Sequence, residues 1–393
     1  MSISAETSDF TDAAPGTLRA GGRSLPVAAM AAAAGATSIV VGLLWDISWH
    51  RSIGRDTFWT PAHMAIYFGG LLAAAGVAPL IARATVADGP ERRASVGIGP
   101  LRGPLGAWVM LWGAAAMVAS APFDDWWHDA YGLDVRVISP PHAVLAAGMI
   151  GVVAGAMLLT LSVQNGAGEL DVRASGALYA WASGVLVTLA ATFIVEYTFP
   201  LHQHGWLFYA TTGAVFPLFL VACARASKLR FAAARAAAIY MAIMAAMDWV
   251  LPLFPAQPRL GPIYNPITRM VPFCFPLLLV FPALAMDLVL SRLKARSETL
   301  LAVLLGIVFV AVFLLVQWPF ASFQMTPSSR NWFFLGDRYW SYWFHPDYPW
   351  RYGFQVRPGD RLTLRGMAIA AGLAIVSARA GLGAGSWMRR VRR

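Results

Sequence analysis

Residues 27–50 read VAAMAAAAGATSIVVGLLWDISWH. Val27 to Trp45 carry no charge, and Asp46 and His50 close the run. A helix needs about 20 apolar residues to cross a bilayer core of about 30 Å. A membrane β-strand would be near ten residues and would alternate apolar with polar, which this run does not do. The stretch therefore predicts a membrane-spanning helix that ends in ionisable groups. The same kind of run recurs along the chain, near 27–46, 62–84, 104–122, 141–163, 175–196, 206–226, 231–252, 267–291, 299–318 and 363–382. Several runs are rich in Gly and Ala, from Ala73 to Ala78 for example, and small residues let membrane helices approach closely.

Composition agrees with this reading. The chain has 393 residues, of which 58% are hydrophobic and only 13% charged, whereas soluble domains are about a quarter charged. A disulfide scaffold and a zinc ribbon are excluded, because Cys223 and Cys274 stand alone in apolar runs. The expected fold class is all-α, a polytopic membrane bundle of about ten helices built from repeated helical hairpins. The parts are a polar N-terminal tail (1–26), a four-helix metal-binding unit (27–165), further hairpins (166–318), an aromatic-rich external loop (319–362), and a last helix with a basic tail (363–393). The tail has no cleavable signal pattern, and the run after Pro26 is long enough to span.

The net charge is +10, but the basic residues lie between spans, so nucleic acid is not an expected partner. Arg92, Arg93, Arg102, Arg225, Lys228, Arg230, Arg292, Lys294, Arg296, Arg389, Arg390, Arg392 and Arg393 fall on one side of the predicted topology. Positive loops stay inside, so both termini are expected in the cytoplasm, with the protein integral to a bacterial inner membrane. All seven histidines fall on the opposite, outward side.

Those histidines form a pattern. Asp46 and His50 share one helix face at i, i+4 spacing. Pro61 suits a helix start, which puts His63 in the first turn of the next span. Spans 3 and 4 repeat the arrangement with Asp124, His128 and His142. Aligning the two segments also matches Trp49 with Trp127, Gly54 with Gly132, Asp56 with Asp134, and Thr60-Pro61 with Ser139-Pro140. We read this as an internal repeat of a helical hairpin. A weaker echo has acids at Glu196 and Asp248 closing later spans, with His202 and His204 following the first of them. Carboxylate and paired imidazoles with open positions suit copper, zinc, iron or nickel. A metal-bound imidazole needs an acceptor for its other nitrogen, and Asp56, Asp125 and Asp134 are outer candidates. His202, His204 and Glu196 are further candidates. Hydrogen-bonded Asp/His pairs without metal are the competing structural reading. There is no nucleophile elbow, P-loop, zincin helix or dinucleotide fingerprint.

At these residues the sequence resembles the C subunit of particulate methane and ammonia monooxygenases, the copper membrane monooxygenases. The likeness rests on Asp46, His50 and His63 within the stretch from Asp56-Thr57 to Thr60-Pro61-Ala62-His63, and on Asp124, His128 and His142 at the second site. It covers about residues 40–165. The resemblance implies copper at Asp46, His50 and His63, a second site at His128 and His142, and oxygen-dependent hydroxylation of a small apolar substrate reaching the site from the bilayer. It also implies additional subunits. Asp124 stands where the family has Asn, and no soluble copper domain is present. Trp49, Phe58, Trp59, Trp126 and Trp127 are candidates for walls of the site or for interfacial anchors. The alternative function is copper uptake, storage or delivery without catalysis. A homo-oligomer is a further expectation for its partners.

Overall fold

The computed structural model describes residues 24–88, 92, 95–132, 139–166, 172–293, 297–356 and 358–391. Asp134, most of the N-terminal tail, and the basic residues Arg93, Lys294, Arg296, Arg392 and Arg393 lie outside them. Among the described residues ten helices make up the bundle: α1 Ser24–Ser52, α2 Pro61–Val86, α3 Leu105–Tyr131, α4 Pro140–Gly166, α5 Val172–Phe193, α6 Trp206–Ala226, α7 Ala232–Val250, α8 Val280–Arg292, α9 Glu298–Gln324 and α10 Leu364–Met388. Among the described residues the only strands are a short hairpin, Val96–Ile98 with Leu101–Gly103. Nine helices among the described residues, all but α8, are long and apolar enough to cross a membrane. Large apolar side chains stand exposed along them, including Phe68, Leu71, Trp112, Val118, Leu315 and Val376. In water such faces would be a liability, whereas in a bilayer they meet lipid. The chain is an all-α integral membrane protein.

Small residues set the helix pairs. A Cβ on Gly35 of α1 would stand 2.7 Å from the Gly69 carbonyl oxygen of α2. A Cβ on Gly113 of α3 would stand 2.7 Å from that of Gly148 on α4. Both hairpins are therefore closed by backbone approach at glycine, as expected where dispersion drives helix association. α1 also packs on α4, and α2 on α3, so the first four helices form a closed ring. Beyond this unit neighbours in the chain also pack, α8 on α9 and α9 on α10, but not every helix pairs that way. The main partner of α6 is α10, and α5 packs on α7.

The predicted eighth span, 267–291, differs from expectation. Only Val280–Arg292 is helical, and the preceding stretch runs non-helically through buried Met270, Val271, Phe273 and Leu277. Pro272 and Pro276 lack the N–H a helix needs. The segment still crosses the bundle. Near one end, Ser48 and Ser52 of α1 hold Val271, donating to its carbonyl (2.6 Å) and accepting from its N–H (2.7 Å). Near the other, the Asp287 carboxylate accepts from the N-terminal amides of α7, Ala233 and Ala234, at 3.3 and 2.9 Å. Between them, the N–H groups of Leu277 and Leu278 donate to Tyr240 Oη and Gln317 Oε1, at 3.1 and 2.9 Å. Irregular backbone at membrane depth is tolerated only when protein satisfies it in this way.

The helices overrun the predicted spans, since α1 continues to Ser52, α3 to Tyr131 and α9 to Gln324. The external loop therefore begins six residues later than expected at its helical end, after Gln324 rather than 318. It folds back as a cap on the bundle. Arg51 donates to Ser341 Oγ (3.2 Å), to the Pro272 carbonyl (3.2 Å) and to the Tyr339 carbonyl. The Tyr342 amide donates to the Arg51 carbonyl at 3.3 Å, and the Gln355 amide to that of Leu201 at 2.8 Å.

Candidate metal centre

Two clusters lie where the hairpins turn, at one end of the four-helix ring. In the first, Asp46 Oδ2 is 3.8 Å from His50 Nε2, and Asp46 Oδ1 is 3.1 Å from His63 Nε2. In the second, Asp124 Oδ2 is 3.4 Å from His128 Nε2, and Asp124 Oδ1 is 3.5 Å from His142 Nε2. The connectivity is the same in both. One carboxylate bridges two imidazoles, one oxygen to each ring, with two groups from the odd helix and one from the start of the even helix.

The backbone repeats as well. Gly54 and Gly132 adopt φ values of +88° and +85°, a left-handed conformation in which a side chain would be strained. The Gly132 turn brings its carbonyl to 3.2 Å from His128 Nδ1. The Thr57 carbonyl lies 2.9 Å from His63 Nδ1, and His50 makes a backbone hydrogen bond with Gly54. A carbonyl only accepts, so Nδ1 of His63 and of His128 is the protonated nitrogen. In the neutral ring, Nε2 then directs a lone pair at the carboxylate. That arrangement is repulsive unless a proton or a cation lies between them. It is also how metal-bound histidines are oriented.

The donor set fits a metal on three further counts. Only one of the His–Asp pairs above, at 3.1 Å, is within hydrogen-bond distance. The others stand off at 3.4–3.8 Å, close to the edge of about 3.3 Å for a tetrahedron with ligand bonds of about 2.0–2.1 Å. Asp124 Oδ1 is buried without a hydrogen-bond partner among the described residues, and Asp46 Oδ1, at the matching position of the repeat, is buried with His63 Nε2 at 3.1 Å. The third count holds for the first cluster alone, where Asp46, His50 and Asp56, without His63, offer donor atoms all within 4.8 Å of one another.

Asp56 sits differently from expectation. Its Oδ2 is 3.4 Å from Nε2 of both His50 and His63, inside the cluster rather than behind it. The Nδ1 atoms of His63 and His128 meet backbone carbonyls, which residue types alone do not reveal, although the matched glycines mark one of their turns. The His50 ring beside it, 3.4 Å away, holds the Asp56 carboxyl below the usual carboxylate range, against the opposing effect of its burial. Asp125 is exposed, one position round the helix from Asp124. Tyr67 lies one turn below His63, with the rings 6.2 Å apart, within electrostatic range of carboxylates from both clusters. Sequence reading passed over it as one aromatic among many.

The remaining candidates lie elsewhere. Glu196 is exposed in a 3-10 turn, and His202 closes the next such turn, Pro200–His202. His204 is stacked between Trp318 and Phe354, with centroids at 3.7 and 3.5 Å, and its Nε2 meets the Trp318 carbonyl and Ser322 Oγ. It fastens the cap to α9. Phe58, Trp59 and Trp126 are exposed and do not wall the clusters off. Trp49 donates its indole N–H to the Arg55 carbonyl at 3.0 Å.

No protein-family model, curated protein or solved structure matches the chain.

Proposed function

We propose that the chain is a copper-binding integral membrane protein related to the copper membrane monooxygenases, acting in oxygen-dependent hydroxylation of a small apolar substrate. The observation that carries this reading is the duplicated carboxylate–bis-imidazole cluster, with the same connectivity and a buried carboxylate oxygen at the matching position in each copy. Asp46, His50 and His63 would hold one ion, and Asp124, His128 and His142 the other. Copper supplies oxygen binding and activation when bound. One oxygen atom enters a C–H bond and the other leaves as water, with electrons from an external donor and protons from solvent. The protein's part is to fix the imidazole tautomers through the Thr57 and Gly132 carbonyls and to bring lipid-dissolved substrate near. Exposed Phe58, Trp59 and Trp126 suit the membrane interface beside the clusters. Charge supports an inner-membrane topology with the clusters outward, since Arg225, Arg230 and Arg389 flank the opposite ends of α6, α7 and α10.

A second reading is copper acquisition or delivery, favoured by the accessibility of His50, whose side chain is 44% exposed. Copper-loaded membranes given a reductant, oxygen and short-chain hydrocarbons separate the two. The oxygenase reading predicts hydroxylated product in wild type and none in His50→Ala or His63→Ala. Stoichiometric copper without substrate-dependent oxygen uptake or product would favour delivery.

A further inference from the structure

We propose that Asp56 is a direct ligand of the first centre and that it makes this centre select a divalent ion over a monovalent one. The proposal rests on the reading that Asp46, His50 and His63 hold a metal. An outer-sphere acceptor must face the ring nitrogen that points away from the ion. In His63 that nitrogen is Nδ1, and the Thr57 carbonyl already takes it at 2.9 Å. Asp56 Oδ2 instead faces Nε2 of both rings, at 3.4 Å from each, where an ion would bind.

Its place is built into the loop. The Gly54 amide donates to the Trp49 carbonyl at 3.2 Å, and the Trp49 indole reaches over to the Arg55 carbonyl at 3.0 Å. Beyond Asp56, the Thr57 amide donates to Thr60 Oγ1 (2.8 Å) and the Thr60 amide returns to the Thr57 carbonyl (2.9 Å). Asp56 is thus held between two closed turns, aimed at the cluster.

Charge follows from the donor count. Two carboxylates and two neutral imidazoles balance a divalent ion, whereas a cuprous ion leaves an uncompensated negative charge. Carboxylate oxygen is also a hard donor, and cuprous copper favours soft ones. Asp56 therefore stabilises the cupric state in particular.

The test uses the full-length, detergent-purified protein and its Asp56→Asn variant, which keeps side-chain size and lies outside the helices. Cu(II) and Cu(I) affinities are measured separately by chelator competition. Copper retained at the second centre serves as the folding control. We expect Cu(II) affinity at the first centre to fall by about tenfold or more with Cu(I) affinity nearly unchanged. The copper potential would then rise by about 59 mV per tenfold. The Cu(II) resonance spectrum of that centre should change as well. Equal affinities in variant and wild type would remove Asp56 from the ligand set. An equal loss for both ions would overturn the charge selection. A wild type that binds neither ion would overturn the underlying metal reading itself.

Discussion

At the residue scale, the proposed metal binding turns on which nitrogen of each histidine faces the carboxylate, and the Gly132 turn sets that for His128 at the second cluster. No described residue lies within 4 Å of a Cβ placed on Gly132, but its φ of +85° and ψ of 176° suit glycine almost alone, so Gly132→Ala carries backbone strain of about 1–3 kcal/mol. The strained turn would shift the carbonyl that orients His128. We expect the second centre to lose about tenfold or more in copper affinity while the first is unaffected, read by stepwise metal titration. Asp56 adds a pH dependence in the metal-free protein. Its folded carboxyl titrates below the usual range because of His50, so the unfolded chain takes up the proton first as pH falls. The stability it contributes is full above the ordinary carboxylate range and is lost as pH drops through its folded value. Melting temperatures at pH 6 and pH 4 should differ less in Asp56→Asn than in wild type. The inner donors Asp46, His50, His63, Asp124, His128 and His142 were legible because helix spacing alone places i and i+4 together. The role of Asp56 was not, because a loop residue's distance to a helix depends on turns that only the folded backbone defines.

At the element scale, the broken segment before α8 is the clearest departure from the hydropathy pattern. An apolar run tells the reader that a segment is buried, but not that it is helical. Pro272 and Pro276 hinted at the break. The groups that make it tolerable, Ser48, Ser52, Arg51, Tyr240 and Gln317, come from three other helices and carry no local signal. Gln317 is fully buried and joins two partners, accepting from Leu278 and donating to Gln203 Oε1 at 2.7 Å. Gln317→Leu would leave both unmatched at membrane depth. We expect a loss of about 1–3 kcal/mol, seen as a lower thermal midpoint in detergent, with copper stoichiometry unchanged. An unaltered midpoint would mean that water or lipid headgroups reach this segment.

At the scale of the whole molecule, the ring of α1 to α4 carries both clusters, and the later helices and the cap hold its outward end. α1 is shared between the two tasks. Asp46 and His50 face the first cluster, while Ser48, Arg51 and Ser52 fasten the broken segment and the cap. The all-α membrane architecture was plain from apolar run lengths. The pairing of α6 with α10 was not, because helix partners far apart in sequence are chosen by surface shape. If the clusters bind metal only in the folded state, binding adds stability by mass action, about 2.7 kcal/mol at a free-ion concentration of 100 times Kd. Chelation should therefore lower the melting temperature of wild type and leave a His50→Ala/His128→Ala double variant unmoved.

The most direct test of the central claim, that duplicated hairpins hold paired metal centres, is elemental analysis of the purified protein beside that double variant. The account predicts copper bound at up to one ion per cluster in wild type and its loss in the variant. No metal after copper loading, or equal metal in both proteins, would contradict it and leave the Asp/His clusters as hydrogen-bonded structural pairs.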